Sequence, residues 1–126
     1  MDVKLVTSDS DILKCKAAIQ ALRPSITDDL YLEDNHIAGS IAVFETGYNL
    51  FRGKYIYIDD LSTTPECRGK GYAGQLLDWI LEYAKAQNIE EVHLDSGVSA
   101  ERTDAHRLYL NKRFQIASLH FTHKIK

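Results

Sequence analysis

The chain has 126 residues, 44% hydrophobic and 26% charged, with a net charge of −3. That length suits one domain on the usual span of roughly 100–200 residues, and the negative charge argues against nucleic acid as a main partner, since phosphate backbones need a basic face. Cys15 and Cys67 stand in no metal-like spacing and no apolar run approaches the ~20 residues that cross a bilayer, so the expectation is a reduced, cytoplasmic, soluble protein with no metal and no membrane partner.

In chain order, Val3–Val6 reads as a short strand, and acidic Asp2 with no apolar run behind it gives no secretory signal. Ser8-Asp9-Ser10-Asp11 offers a helix cap, and Ile12, Cys15, Ile19 and Leu22 recur at helical spacing until Pro24. Leu30–Glu33 and Ile37–Glu45 are strands around the turn Glu33-Asp34-Asn35-His36, and Gly47–Gly53 is another turn. Lys54–Leu61 alternates, with Ile56, Ile58 and Asp60 on one face and Tyr55, Tyr57, Asp59 and Leu61 on the other. A helix from about Gly69 to Gln87 aligns Ala73, Leu76, Leu77, Ile80, Leu81 and Ala84, and Asn88 suits a left-handed cap. Glu91–Asp95 is a strand, Ser96–Ser99 a loop, and Thr103–Arg113 a helix capped by Thr103. Phe114–Leu119 and Phe121–Ile125 read as closing strands. This order implies one mixed α/β sheet with helices on both faces, and a parallel, right-handed strand–helix–strand unit across 54–95.

The run Thr64-Pro65-Glu66-Cys67-Arg68-Gly69-Lys70-Gly71-Tyr72-Ala73-Gly74 joins a strand to a helix start. A helix's first turn has N–H groups without intrahelical acceptors and a positive dipole end, and glycine lets backbone approach an anion. Arg68 and Lys70 add charge-assisted contacts, so the run suits a pyrophosphate. It differs from a dinucleotide fingerprint in that Arg68 leads where a glycine would stand.

The order R-x-x-G-x-A from Arg68 to Ala73 resembles the coenzyme A loop of the GNAT superfamily of N-acetyltransferases. Four further segments match in order over roughly residues 37 to 121. Ile37-Ala38-Gly39 is similar to the entry of the family's third strand, and Tyr57-Ile58-Asp59-Asp60-Leu61 to its fourth. His93-Leu94-Asp95-Ser96-Gly97 and Ala105-His106-Arg107-Leu108-Tyr109 with Phe114 resemble a bacterial branch. The resemblance implies a single domain over 1–126 with a central mixed, splayed sheet, and acetyl-CoA as donor substrate. It implies that pantetheine pairs with backbone at Leu61, Ser62 and Thr63. The amides from Arg68 to Gly74, Tyr72 and Ala73 included, would hold the pyrophosphate, with Asn111 and Lys112 contacting the cofactor further along. Tyr109 matches the tyrosine that faces the sulfur, and Asp59 aligns with a glutamate of the polyamine acetyltransferases.

In that reading an amine attacks the thioester carbonyl. Asp59 is the first candidate to take the amine proton and Asp60 the second, on opposite faces by alternation. A backbone N–H near Ser62 would serve the oxyanion, and Tyr109 would protonate the departing thiolate. Each residue keeps an alternative: Asp59 and Asp60 as strand-end residues, Tyr109 as core, Cys67 as an exposed loop thiol, and the five histidines as packed or solvated side chains. Two departures stand out: Arg113 replaces the family glycine before Phe114, and little chain separates Pro24 from Leu30 for the usual second helix. The acceptor is an amine-bearing small molecule or protein. Residues 1–51 carry a net −4 and residues 52–126 a net +1, which suits a cationic acceptor or is merely a solvated surface. Other readings are a catalytically silent acyl-CoA-binding module and a nucleotide-phosphate binder of another fold. A homodimer would pair the strands within 114–125 across a two-fold axis.

Overall fold

The computed structural model describes residues 3–5, 7–8, 28–34, 37–51 and 53–126. These divide into two compact units, Met1–Leu94 and Asp95–Lys126. The helix expected from Ser8 to Pro24 and the turn residues Asn35 and His36 lie outside the described residues.

The first unit is a five-stranded mixed sheet in the order β1 (Val3–Leu5), β2 (Asp28–Asp34), β3 (Ile37–Asn49), β4 (Gly53–Thr63) and β5 (Glu91–Leu94). The first three pairings are antiparallel and β4 pairs β5 in parallel, as the crossover length demands. The β3–β4 hairpin is tighter than the spacing of Gly47 and Gly53 suggests. Its strands run to Asn49 and from Gly53, leaving Leu50 and Phe51 at an exposed tip.

Helix α1 (Tyr72–Ala86) packs on β3 and β4. Leu76, Leu77, Ile80 and Ala84 are buried, and Phe44 of β3 meets Tyr83 edge-on at 6.0 Å. Tyr83 in turn stacks on Trp79 at 5.1 Å. β3 is buried from Ser40 through Phe44, with Ile41 and Val43 turned to the face away from α1. α1 ends at Asn88 in the left-handed region (φ 56°), as its residue type suggests. The Ile89 and Asn88 amides bond back to the carbonyls of Ala84 and Lys85.

In the second unit, a 3-10 turn at Ala100–Arg102 leads into α2 (Thr103–Asn111). Thr103 does not cap this helix; its hydroxyl donates to the Ala100 carbonyl at 2.7 Å, because the preceding turn puts that oxygen in reach. Arg113 solves the missing-glycine problem by adopting the left-handed conformation itself (φ 67°). The Phe114 amide bonds to Tyr109 O and the Arg113 amide to Leu110 O, both at 3.0 Å. The Tyr109 and Phe114 rings lie 6.1 Å apart over this cap.

Residues 114–126 form no strand, contrary to the strands read at Phe114–Leu119 and Phe121–Ile125. Apolar residues mark a strand only where a ladder partner and an apolar face exist. Here Ile116, Leu119, Phe121 and Ile125 are 75–88% exposed, so that apolar face is not packed. A homodimer built on strands at 114–125 therefore has no strand there to start from. Among the described residues, no helix is long and apolar enough to cross a membrane.

Candidate functional site

β4 pairs with its two neighbours over different lengths. Its ladder with β5 stops at the Ile58–Leu94 pair, whereas its ladder with β3 continues to the Thr63–Ser40 pair. From Asp59 to Thr63, β4 has no β5 residue opposite it. The β4–β5 ladder thus ends before the part of β4 that leads into the glycine-rich loop.

The register with β3 also shifts there. Ile58 faces Phe44 and Asp60 faces Val43, so Asp59 is an extra residue, a β-bulge. This overturns the simple alternation. Cross-strand pairs share a face, so Ile58, Leu61 and Thr63 lie with Phe44 on the α1 side, and Asp60 and Ser62 lie with Val43 on the other. Asp59 stands outside the alternation, so the two carboxylates are not held to opposite faces as the sequence suggests. Both are half-buried.

The bulge also sets which backbone groups point outward. The Thr64 amide donates to the Gly39 carbonyl at 2.9 Å. Hydrogen-bonded pairs alternate along an antiparallel ladder, so Ser62 turns its N–H and C=O to Ile41 of β3. Leu61 and Thr63 turn theirs away from β3. The outward N–H groups therefore belong to Leu61 and Thr63, not to Ser62.

Beyond β4, the buried Thr64 starts a 3-10 turn at Pro65–Cys67. Cys67 is 4% exposed, so the thiol is not the exposed loop group its neighbourhood implies. The turn folds its side chain inward while Arg68, Gly69, Lys70 and Gly71 stay exposed. Gly69 (φ 80°) and Gly71 (φ 78°) are both left-handed, a conformation that glycine adopts without strain. A Cβ on either would meet no atom within 4 Å, so the loop's outer side is open. Gly71 is the N-cap of α1 and no side chain caps it. The first intrahelical bond runs from the Gln75 amide to Gly71 O at 3.1 Å, so the amides of Tyr72, Ala73 and Gly74 precede it. Left-handed glycines before a helix start form a concave row of N–H groups suited to an anion. Lys70 Nζ lies 5.8 Å from the Tyr72 ring centre, a cation–π distance that keeps its charge beside this row.

An open loop of amides with Arg68 and Lys70, continuous with a strand edge offering Leu61 and Thr63, fits a long ligand with an anionic segment and a peptide-like arm. The chemistry of the donor set thus suits coenzyme A.

The second unit holds the remaining sequence candidates. Tyr109 is half-buried and Asn111 exposed, and Lys112 is the C-cap of α2. His106 Nε2 lies 2.7 Å from the Gly97 carbonyl and 3.1 Å from Ser96 Oγ. Because a carbonyl only accepts, His106 donates there, which pins the Ser96–Gly97 loop to α2. Sequence reasoning missed two features, the bulge at Asp59 and the buried hydroxyl of Ser40. Of these, Ser40 carried a signal: a lone polar residue before Ile41-Ala42-Val43-Phe44.

The sequence profile of the acetyltransferase (GNAT) family matches residues 9–114. Over 64 residues the chain is 41% identical to the "Uncharacterized N-acetyltransferase YhdJ" of Bacillus subtilis (strain 168), covering 51% of this chain and 44% of that protein. The match spans less than half the length of that relative. Among solved structures, the aminoglycoside N-acetyltransferase AAC(6')-Iy in complex with CoA superposes with a TM-score of 0.77 at 12% identity, covering 99% of each chain. Glucosamine-6-phosphate N-acetyltransferase from Arabidopsis thaliana gives 0.75 at 15% identity, covering 100% of each. A transcriptional regulator from Bacillus halodurans C-125 gives 0.77 at 14%, covering 98% of this chain and 99% of that one. At such identities these likenesses establish the fold.

Proposed function

The chain belongs to the acetyltransferase (GNAT) family, and from that premise we propose that it transfers an acetyl group from acetyl-CoA directly to a primary amine. The acceptor is a small polyamine-like or amino compound, or a protein lysine or N-terminus. The observation that carries this reading is the open, left-handed Gly69–Gly71 loop at the uncapped start of α1, continuous with the unmatched edge of β4. The amides from Gly69 to Gly74, with Arg68 and Lys70, hold the pyrophosphate. Leu61 and Thr63 pair with the pantetheine arm. Asn111 and Lys112 are further cofactor contacts.

Acetyl-CoA supplies an activated acyl group with a thiolate leaving group. An alkylamine with a pKa near 10.4 must lose a proton about three units above working pH, which costs about 4 kcal/mol. Asp59, set out of register by the bulge, accepts that proton directly or through a water, and Asp60 is the second choice. The outward N–H of Leu61 or Thr63 is the donor to the carbonyl oxygen as charge develops there. Tyr109 returns a proton to the departing sulfur from its phenol O–H.

Thiol release from acetyl-CoA against polyamines, aminoglycosides, amino sugars, amino acids and basic peptides tests this. Acceptor-dependent release is expected. Tight acetyl-CoA binding with no transfer to any amine would leave a silent acyl-CoA-binding module, and no binding would end the reading.

A further inference from the structure

Ser40 is the only polar residue in the buried run from Ser40 to Phe44, and its side chain is fully buried (0% exposed). Its hydroxyl donates to the Ser62 carbonyl at 2.9 Å and lies 2.9 Å from Thr63 Oγ1. A serine hydroxyl has one proton, and a carbonyl oxygen cannot donate. The proton of Ser40 is therefore committed to Ser62, and Thr63 must donate to Ser40. The result is a directed relay, Thr63 O–H to Ser40 O–H to Ser62 C=O.

Two more bonds act beside it, from the Thr64 amide and hydroxyl to the Gly39 carbonyl, at 2.9 and 3.3 Å. All four tie residues 62–64 to residues 39–40 where the ladder with β5 has already ended. Over Tyr55–Ile58, β4 pairs with both β3 and β5, whereas from Asp60 to Thr63 its ladder among the described strands is with β3, and these side-chain bonds add to that ladder. A buried hydroxyl left unsatisfied costs about 1–3 kcal/mol, so an apolar residue would suit this core position if packing alone mattered.

We propose that Ser40 is a positioning residue for acyl-CoA: it locks the orientation of the 61–63 backbone, so that Leu61 and Thr63 present their N–H and C=O groups to the pantetheine arm. This rests on the coenzyme A reading above. It sets the affinity for the arm and leaves the nucleotide end, held by the 68–74 loop, untouched.

The test is calorimetric binding of coenzyme A and of 3′-phosphoadenosine 5′-diphosphate, which keeps the pyrophosphate and lacks the arm, to wild type and to Ser40→Ala. Ser40→Ala should weaken coenzyme A about tenfold, the scale of one positioned hydrogen bond, with the armless diphosphate within about twofold. Amide exchange at Ser62 and Thr64, whose N–H groups face β3, should quicken in the same variant. If Ser40→Ala fails to fold, Thr63→Val cuts the relay from its half-buried end and should show the same selective loss. Equal weakening of both ligands would make Ser40 a general stability residue and overturn the proposal. So would normal coenzyme A binding by the variant. Wild type that binds neither ligand would overturn the coenzyme A reading and this inference with it.

Discussion

Gly71 shows how conformation and space separate at a single residue. Nothing crowds the place where its Cβ would go, so a side chain there is opposed by the positive φ alone, at a cost of about 1–2 kcal/mol. Gly71→Ala should therefore fold with modestly lower stability. Gly71→Glu adds a negative charge beside the proposed pyrophosphate site and should abolish coenzyme A binding by calorimetry; affinity like that of wild type would refute the loop's role. For Tyr109→Phe, turnover should fall at least about tenfold with the KM for acetyl-CoA nearly unchanged, the pattern of a group acting in the transition state. Matched losses in both would make Tyr109 a packing residue. The loop was legible because glycine spacing and a helix start are written in residue types. The bulge at Asp59 was not, since an extra residue in β4 changes no residue type and appears only as a slip against β3.

Helix ends were the most and least legible elements. Asn88 declares a left-handed cap by its type, and the chain uses it. Arg113 declares nothing of the kind, yet makes the same pair of backward bonds, with Tyr109 and Phe114 packed over the turn. It bears the strain that glycine avoids there. Arg113→Gly should therefore raise stability by about 1 kcal/mol, read as a rise of a few degrees in Tm, with kcat unchanged if Arg113 has no catalytic part. A fall in Tm would mean that the arginine side chain contributes more than its backbone costs. The strands expected within 114–125 failed for the opposite reason. Their apolar residues suit strands, but Leu119, Phe121 and Ile125 stay exposed, and apolar residues without a ladder partner do not make a strand.

For the whole molecule, the loop proposed for the pyrophosphate and the strand edge proposed for the pantetheine arm lie in the unit that also holds the sheet core. Loop 68–74, the edge of β4 and α1 all belong to Met1–Leu94. A ligand that binds only the folded state at 100 times its Kd adds about 2.7 kcal/mol, and for a chain of this size that is roughly 10 °C in Tm. Acetyl-CoA should raise the melting temperature by about that amount, and Gly71→Glu should remove the rise. The same melting curves discriminate the ligand class. ATP and NAD carry a pyrophosphate but no pantetheine arm, so they engage the glycine loop without the Leu61–Thr63 edge and should shift the midpoint less. Were either to shift it more than acetyl-CoA, the loop would serve a nucleotide, and the Leu61–Thr63 edge would have no ligand to hold.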